Sequence, residues 1–71
     1  LENNQLAQRI RAFRKLKSLT QQQLADRMDI SVAVLGAIER GNRRPEETLL
    51  IRISEHLGIT IEELTGAMHM R

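Results

Sequence analysis

Apolar residues recur at helical spacing along nearly the whole chain, in short blocks separated by polar caps and turns. From Asn3 to Lys17 they fall at Leu6, Ile10, Phe13 and Leu16, close to the i, i+4, i+7 stripe of one helix. Ser18 stands where this helix should stop, although glycine would take up a left-handed cap more readily, so some strain is expected there. Thr20, with Gln23 three residues later, matches a capping box and predicts a second helix from about Gln21, with Leu24, Ala25 and Met28 on one side. Asp29 tolerates turn and left-handed conformations and ends it. Ser31 then caps a third helix over about Val32 to Arg40, with Leu35 and Ile38 facing inward, Val34 at the edge and Gly41 as the stop.

Beyond the loop Asn42, Arg43, Arg44 and Pro45, a fourth helix is predicted up to Leu57. Pro45 fits its first turn, Glu46 and Glu47 suit the positive end of its dipole, and Gly58 ends it. Its inward set is Leu49, Leu50, Ile53 and Leu57, with Ile51 on another side. Thr60 and Glu63 form a second capping box for a short fifth helix. No strand-period alternation or internal repeat occurs, so the fold class is all-α, five helices within residues 1–66, with 67–71 as a tail or the start of a linker.

Composition narrows the functions open to such a bundle. At 71 residues the chain is one small domain able to bury only about 60 to 65% of its unfolded surface. Phe13 is the only aromatic residue, which argues against the stacking platform of a single-strand binder. The lack of Cys excludes disulfides and thiolate metal sites, and neither His56 nor His69 has a partner at i, i+4, so no metal is expected. No apolar run reaches the roughly 20 residues that span a bilayer, so no membrane partner is expected and the compartment is consistent with cytoplasm. Leu1 in place of an initiator Met fits a fragment or processed chain, and a C-terminal sensory or dimerisation domain after Arg71 is left open. Catalysis is excluded: there is no nucleophile motif or Gly-rich phosphate loop, and Thr20, Ser31 and Thr60 are explained by capping. No cofactor is expected.

Charge is distributed unevenly. The net charge is only +2, yet nine basic residues stand against three acidic ones between Arg9 and Arg44, and two against five from Pro45 to Arg71. Such an asymmetry points the N-terminal two-thirds towards a polyanion, although a solvated helix face is the plainer explanation of charge alone. The sharper signal is its combination with helices 2 and 3. Two short helices joined by a tight turn, the second capped by a short polar residue, describe a helix-turn-helix. Here they are flanked by a basic helix 1, a Gln at the start of helix 2 and an Arg-rich loop, groups that suit phosphates. Glu39 in the last turn of helix 3 opposes the helix dipole and calls for a cation.

The blocks RIRAFRKLKSLTQQQLADRMDIS, LGAIERGNRRP and LIRISEHLGITIEELTG resemble, in order and spacing, the Cro/CI-type (XRE) repressor DNA-binding domain over about residues 6 to 66. The resemblance implies a compact lambda-repressor-like domain acting as a transcriptional regulator, a homodimer on a palindromic double-stranded operator, in a bacterial or phage setting. It implies that helix 3 lies in the major groove and that Gln21 touches a phosphate and leans on helix 3. Ser31 would cap the recognition helix and help hold the backbone, Val32, Ala33, Gly36 and Ala37 would meet the bases, and Asn42, Arg43 and Arg44 would hold flanking phosphates. Arg14 would pair with Glu39 as a structural ion pair.

The sequence departs from the family on the outer face of helix 3, where Val32, Ala33, Gly36 and Ala37 offer no hydrogen-bonding side chain. Gly36 inside the helix costs about 1 kcal/mol relative to Ala, which points to a close approach there by another helix or a ligand. One reading is that thymine methyls, DNA shape and neighbours such as Arg43 or Arg40 supply specificity. The alternative is a helical protein-interaction or antitoxin-type partner module docking through the apolar face. The dimer surface is not legible; helix 5 and the tail with Met68 and Met70 are the candidates.

Overall fold

A computed structural model describes residues 2–66, with five helices and no strand among them: α1 (Glu2–Leu16), α2 (Gln21–Met28), α3 (Val32–Glu39), α4 (Glu47–Leu57) and α5 (Ile61–Thr65). The predicted tail, with Met68, His69 and Met70, lies outside the described residues. α1 lies against α3, α4 and α5, α2 packs between α3 and α4, and α4 meets α5. Leu24, Met28, Leu35, Ile38, Ile53, Leu57 and Leu64 close the core around Ile10, with Leu6, Phe13, Val34, Leu49 and Leu50 packed on its margin. No helix among the described residues is long and apolar enough to cross a membrane.

The helix boundaries arise from local hydrogen bonding. Both capping boxes form: Thr20 and Thr60 accept from the amides of Gln23 and Glu63, whose side chains accept the cap amides in return. At the other ends, the carbonyls left over by α1, α2, α3 and α4 are satisfied in one way. The amide of the positive-φ residue after each helix bonds back three residues and the next amide bonds back five: Ser18 to Lys15 and Leu19 to Arg14, Asp29 to Asp26 and Ile30 to Ala25, Gly41 to Ile38 and Asn42 to Ala37, Gly58 to Glu55 and Ile59 to Ser54. This is the Schellman arrangement, which needs a left-handed residue at the pivot. Ser18 (φ 61°) and Asp29 (φ 58°) adopt it without being glycine.

Two expectations are corrected. Leu16 is 73% exposed; on a helix it stands roughly 120° away from Ile10, and the inward position is taken by Arg14, only about 40° away. Pro45 is not in the first turn of α4: Glu46 is the N-cap, in extended backbone with no side-chain cap bond, and Pro45 is buried just ahead of it. α3 runs to Glu39 with Arg40 as its cap, within a residue of the expected end.

Arg14 is buried because Glu39 is. The guanidinium Nε donates to Glu39 Oε2 at 2.7 Å and Nη2 to Oε1 at 2.9 Å, a bidentate pair with side chains 8% and 1% exposed. Arg14 Nη1 also donates to the Leu19 carbonyl at 2.7 Å, tying the loop after α1 to the same group. Removing one partner leaves a desolvated charge, whereas removing both does not. Arg14→Ala should therefore lose about 3–5 kcal/mol in urea unfolding, and the double variant Arg14→Met with Glu39→Leu should regain most of it; an Arg14→Ala variant as stable as the parent would show that the pair is not buried in solution. By the same measurement Ser18→Gly should gain about 0.5–1 kcal/mol, since glycine takes the left-handed pivot without a Cβ penalty, and raise Tm by several degrees.

Candidate nucleic-acid interface

α2 and α3 form a corner whose inner side is fixed and whose outer side is open. Leu24, Ala25 and Met28 of α2 and Leu35, Ile38 and Glu39 of α3 are buried. Ser31, in extended backbone, accepts from the Val34 amide at 3.1 Å and so begins α3 while remaining exposed. With one stripe of α3 held in the core, the opposite stripe is presented outward by the 3.6-residue repeat.

That stripe carries Val32 and Ala33, both exposed, the half-buried Ala37, and Gly36. Gly36 is buried, so the face is not bare along its whole length. What covers it is polar: a Cβ built there would stand 3.0 Å from Arg40 Nη1 and 3.6 Å from Gln21 Oε1. The close approach inferred from the sequence is thus made by two side chains, not by a helix backbone.

Gln21, the first residue of α2, reaches across the corner. Its Nε2 donates to Glu39 Oε1 at 3.0 Å, so one carboxylate oxygen is shared between α1 and α2 through Arg14 and Gln21. This holds Gln21 half-buried at the edge of the α3 face. Asn42, Arg43 and Arg44 are exposed in the turn immediately after α3, at the far end of the same face. Gly41 (φ 80°) sets the direction of that turn, and a Cβ there would come within 2.5 Å of Asn4 Oδ1 of α1.

Not every cation is available to a ligand. Arg9 is half-buried and donates through Nε to the Leu64 carbonyl at 2.9 Å and through Nη2 to the Glu63 carbonyl at 2.6 Å, covering the C-terminal end of α5. Arg52 does the same for α2 by donating to the Met28 carbonyl at 2.7 Å. These roles join residues 54, 55 and 24 apart and carry no local sequence signal. Arg11, Lys15, Lys17, Arg27, Arg40, Arg43 and Arg44 are exposed. No group of three or more His, Cys, Asp or Glu residues able to hold a metal occurs among the described residues.

A family model described as helix-turn-helix matches residues 10–64, from the core of α1 to the end of α5. The chain is 50% identical over 56 residues to the uncharacterised HTH-type transcriptional regulator YazB of Bacillus subtilis, covering 79% of this chain and 81% of that protein. It is 38% identical over 61 residues to the immunity repressor protein of Bacillus phage phi105, covering 86% of this chain but only 42% of the repressor. Among solved structures, the restriction-modification controller protein C.AhdI from Aeromonas hydrophila superposes with a TM-score of 0.83 at 29% identity, covering 87% of this chain and 94% of that one. The clp gene regulator ClgR from Corynebacterium glutamicum gives 0.88 at 28% identity, covering 92% and 83%. With the corner, its caps and its charge already located between α1 and α4, the chain belongs to the Cro/CI-type (XRE) helix-turn-helix family of DNA-binding transcriptional regulators.

Proposed function

We propose that this domain regulates transcription by seating α3 in the major groove of a double-stranded operator as one half of a homodimer. The observation that carries this is the outer face of α3: free of long side chains at Val32, Ala33 and Ala37, bounded by Ser31 at one end and Asn42, Arg43 and Arg44 at the other, with Gln21 alongside it between Gly36 and Glu39. Groups at the two ends straddle a groove as phosphate ligands do. Backbone amides at helix starts and Arg side chains hold phosphates, and such contacts fix register and supply most of the affinity.

In this reading Gln21, Ser31, Asn42, Arg43 and Arg44 position the backbone, while Val32, Ala33 and Ala37 meet thymine methyls. Arg14 and Glu39 touch no DNA and act by holding α3 at its angle. One recognition helix covers a half-site, so two-fold symmetry calls for a palindromic operator with half-sites about 34–36 Å apart. Residues 1–66 are taken as the DNA-binding domain and residues 67–71 as a tail or the start of a linker. The relatives from Bacillus and its phage support a bacterial or phage protein working in the cytoplasm. Protein docking through the apolar face is disfavoured by the regulators the chain matches.

Titration against selected and random duplexes over a salt series tests the proposal. Selected sites should bind about 10³-fold or more above random DNA, with affinity falling steeply as salt rises. Arg43→Ala should weaken all sequences alike and flatten the log–log salt slope by about 1, while Ala33→Glu should abolish specific binding by placing a carboxylate in the groove. No binding at low salt would overturn the proposal.

A further inference from the structure

The face that must read bases has no hydrogen-bonding side chain of its own, yet one lies across it. Arg40 comes four residues after Gly36, one turn later on the same face. Side chains on a helix lean towards its N-terminus, so a residue at i+4 covers residue i. The Arg40 guanidinium does this: Nη1 lies 3.0 Å and Cζ 3.9 Å from where a Gly36 Cβ would stand. A Cβ at residue 36 would press on the guanidinium and make it give by a few tenths of an ångström.

Arg40 is exposed, and its guanidinium makes no hydrogen bond or ion pair with any described side chain or carbonyl. The carboxylate next to it in sequence, Glu39, is taken by Arg14 and Gln21. Gln21 Oε1, the oxygen of an amide whose nitrogen is held by Glu39, lines the same slot and gives the guanidinium a polar wall. A phosphate ligand at the end of α3 would extend off the helix, as Arg43 and Arg44 are free to do from the turn. Arg40 is instead folded back along the recognition face.

Resting on the groove-docking reading, we infer that Arg40 is the residue that selects a base. Its guanidinium, laid in the slot left by Gly36, donates two hydrogen bonds to the O6 and N7 of one guanine per half-site, in a field otherwise read through methyl contacts. Arginine suits this because its planar fork matches those two acceptors. Gly36 is a positioning residue: it touches no base and acts by leaving Arg40 its place.

The test is selection of bound duplexes from a randomised pool, and then affinities for single-base variants of the selected half-site. Wild type should prefer one G·C pair by about 5- to 150-fold over its substitutions. Arg40→Met should level that position while keeping the preferences at the others. Gly36→Ala should also weaken that single preference, although Arg40 is intact, and should raise Tm by a few degrees because alanine is the better helix former and the displaced group is the far end of a flexible side chain. An Arg40→Met variant that binds every duplex more weakly by one common factor, the G·C preference unchanged, would overturn the inference and make Arg40 a phosphate ligand. So would a Gly36→Ala variant with an unaltered preference. Wild type that binds no duplex at low salt would overturn the groove-docking reading as well, whereas the two variant results leave that reading standing.

Discussion

The carboxylate of Glu39 is the constraint on which the arrangement of the first three helices depends. It sits in the last turn of α3, where the helix dipole is unfavourable to an anion, and it is almost without solvent. A buried anion of this kind is tolerated only when its lone pairs are met by donors fixed in position. Those donors come from two other helices: Arg14 near the end of α1 and Gln21 at the start of α2. Because Arg14 also holds the Leu19 carbonyl, the loop between α1 and α2 is tied to the same point. The angle at which α3 is presented is thus set by charge geometry behind it, while its outer face is left free to vary. Apolar packing through Leu35 and Ile38 holds α3 to the core but is less directional.

The same economy governs the basic residues. A chain-wide net charge of +2 is modest for a ligand of nucleic acid, and two of its arginines, Arg9 and Arg52, are consumed in closing helix ends. In a domain this small, where helices of five to fifteen residues leave many carbonyls unpaired, such caps substitute for core volume. The exposed cations that remain lie on α1 and around the α2–α3 corner, and the acidic excess lies in α4, α5 and their flanks. Orientation towards a polyanion therefore comes from placement more than from total charge.

Much of this architecture was legible in the sequence because it is local. A Thr with Gln or Glu three residues later, and a Ser before an apolar run, act within one turn, so the starts of α2, α3 and α5 could be placed directly. The requirement of Glu39 for a cation was legible from the dipole, and its partner Arg14 from the family resemblance. What failed to show was long-range or competed for a position. Leu16 looked like part of the α1 stripe, but Arg14 occupied the inward angle because its partner is buried. The capping role of Arg9 left no local sign because the carbonyls it closes are 54 and 55 residues away. Pro45 suited a first helical turn by statistics, while burial ahead of the Glu46 cap won. Gly36 suggested a close approach by another helix or a ligand, whereas the groups nearest it are the side chains of Arg40 and Gln21, which needed coordinates to be named.

A recognition face built from small residues also changes how a helix can sit in DNA. Long polar side chains hold a helix axis away from the base edges by their own length; Ala33, Gly36 and Ala37 impose no such distance. In the proposed docking α3 lies deep, so its exposed start at Ser31 and the turn at Asn42 to Arg44 come close to both phosphate walls together. Methyl contacts alone distinguish thymine but say little about guanine, and groove shape discriminates over several base pairs instead of one. A single arginine lying flat along the helix resolves the conflict, since it adds a bidentate reader without adding height at the positions that face the bases. Gly36, unfavourable for the isolated helix by about 1 kcal/mol, is then the local concession that allows depth and base selection on the same face.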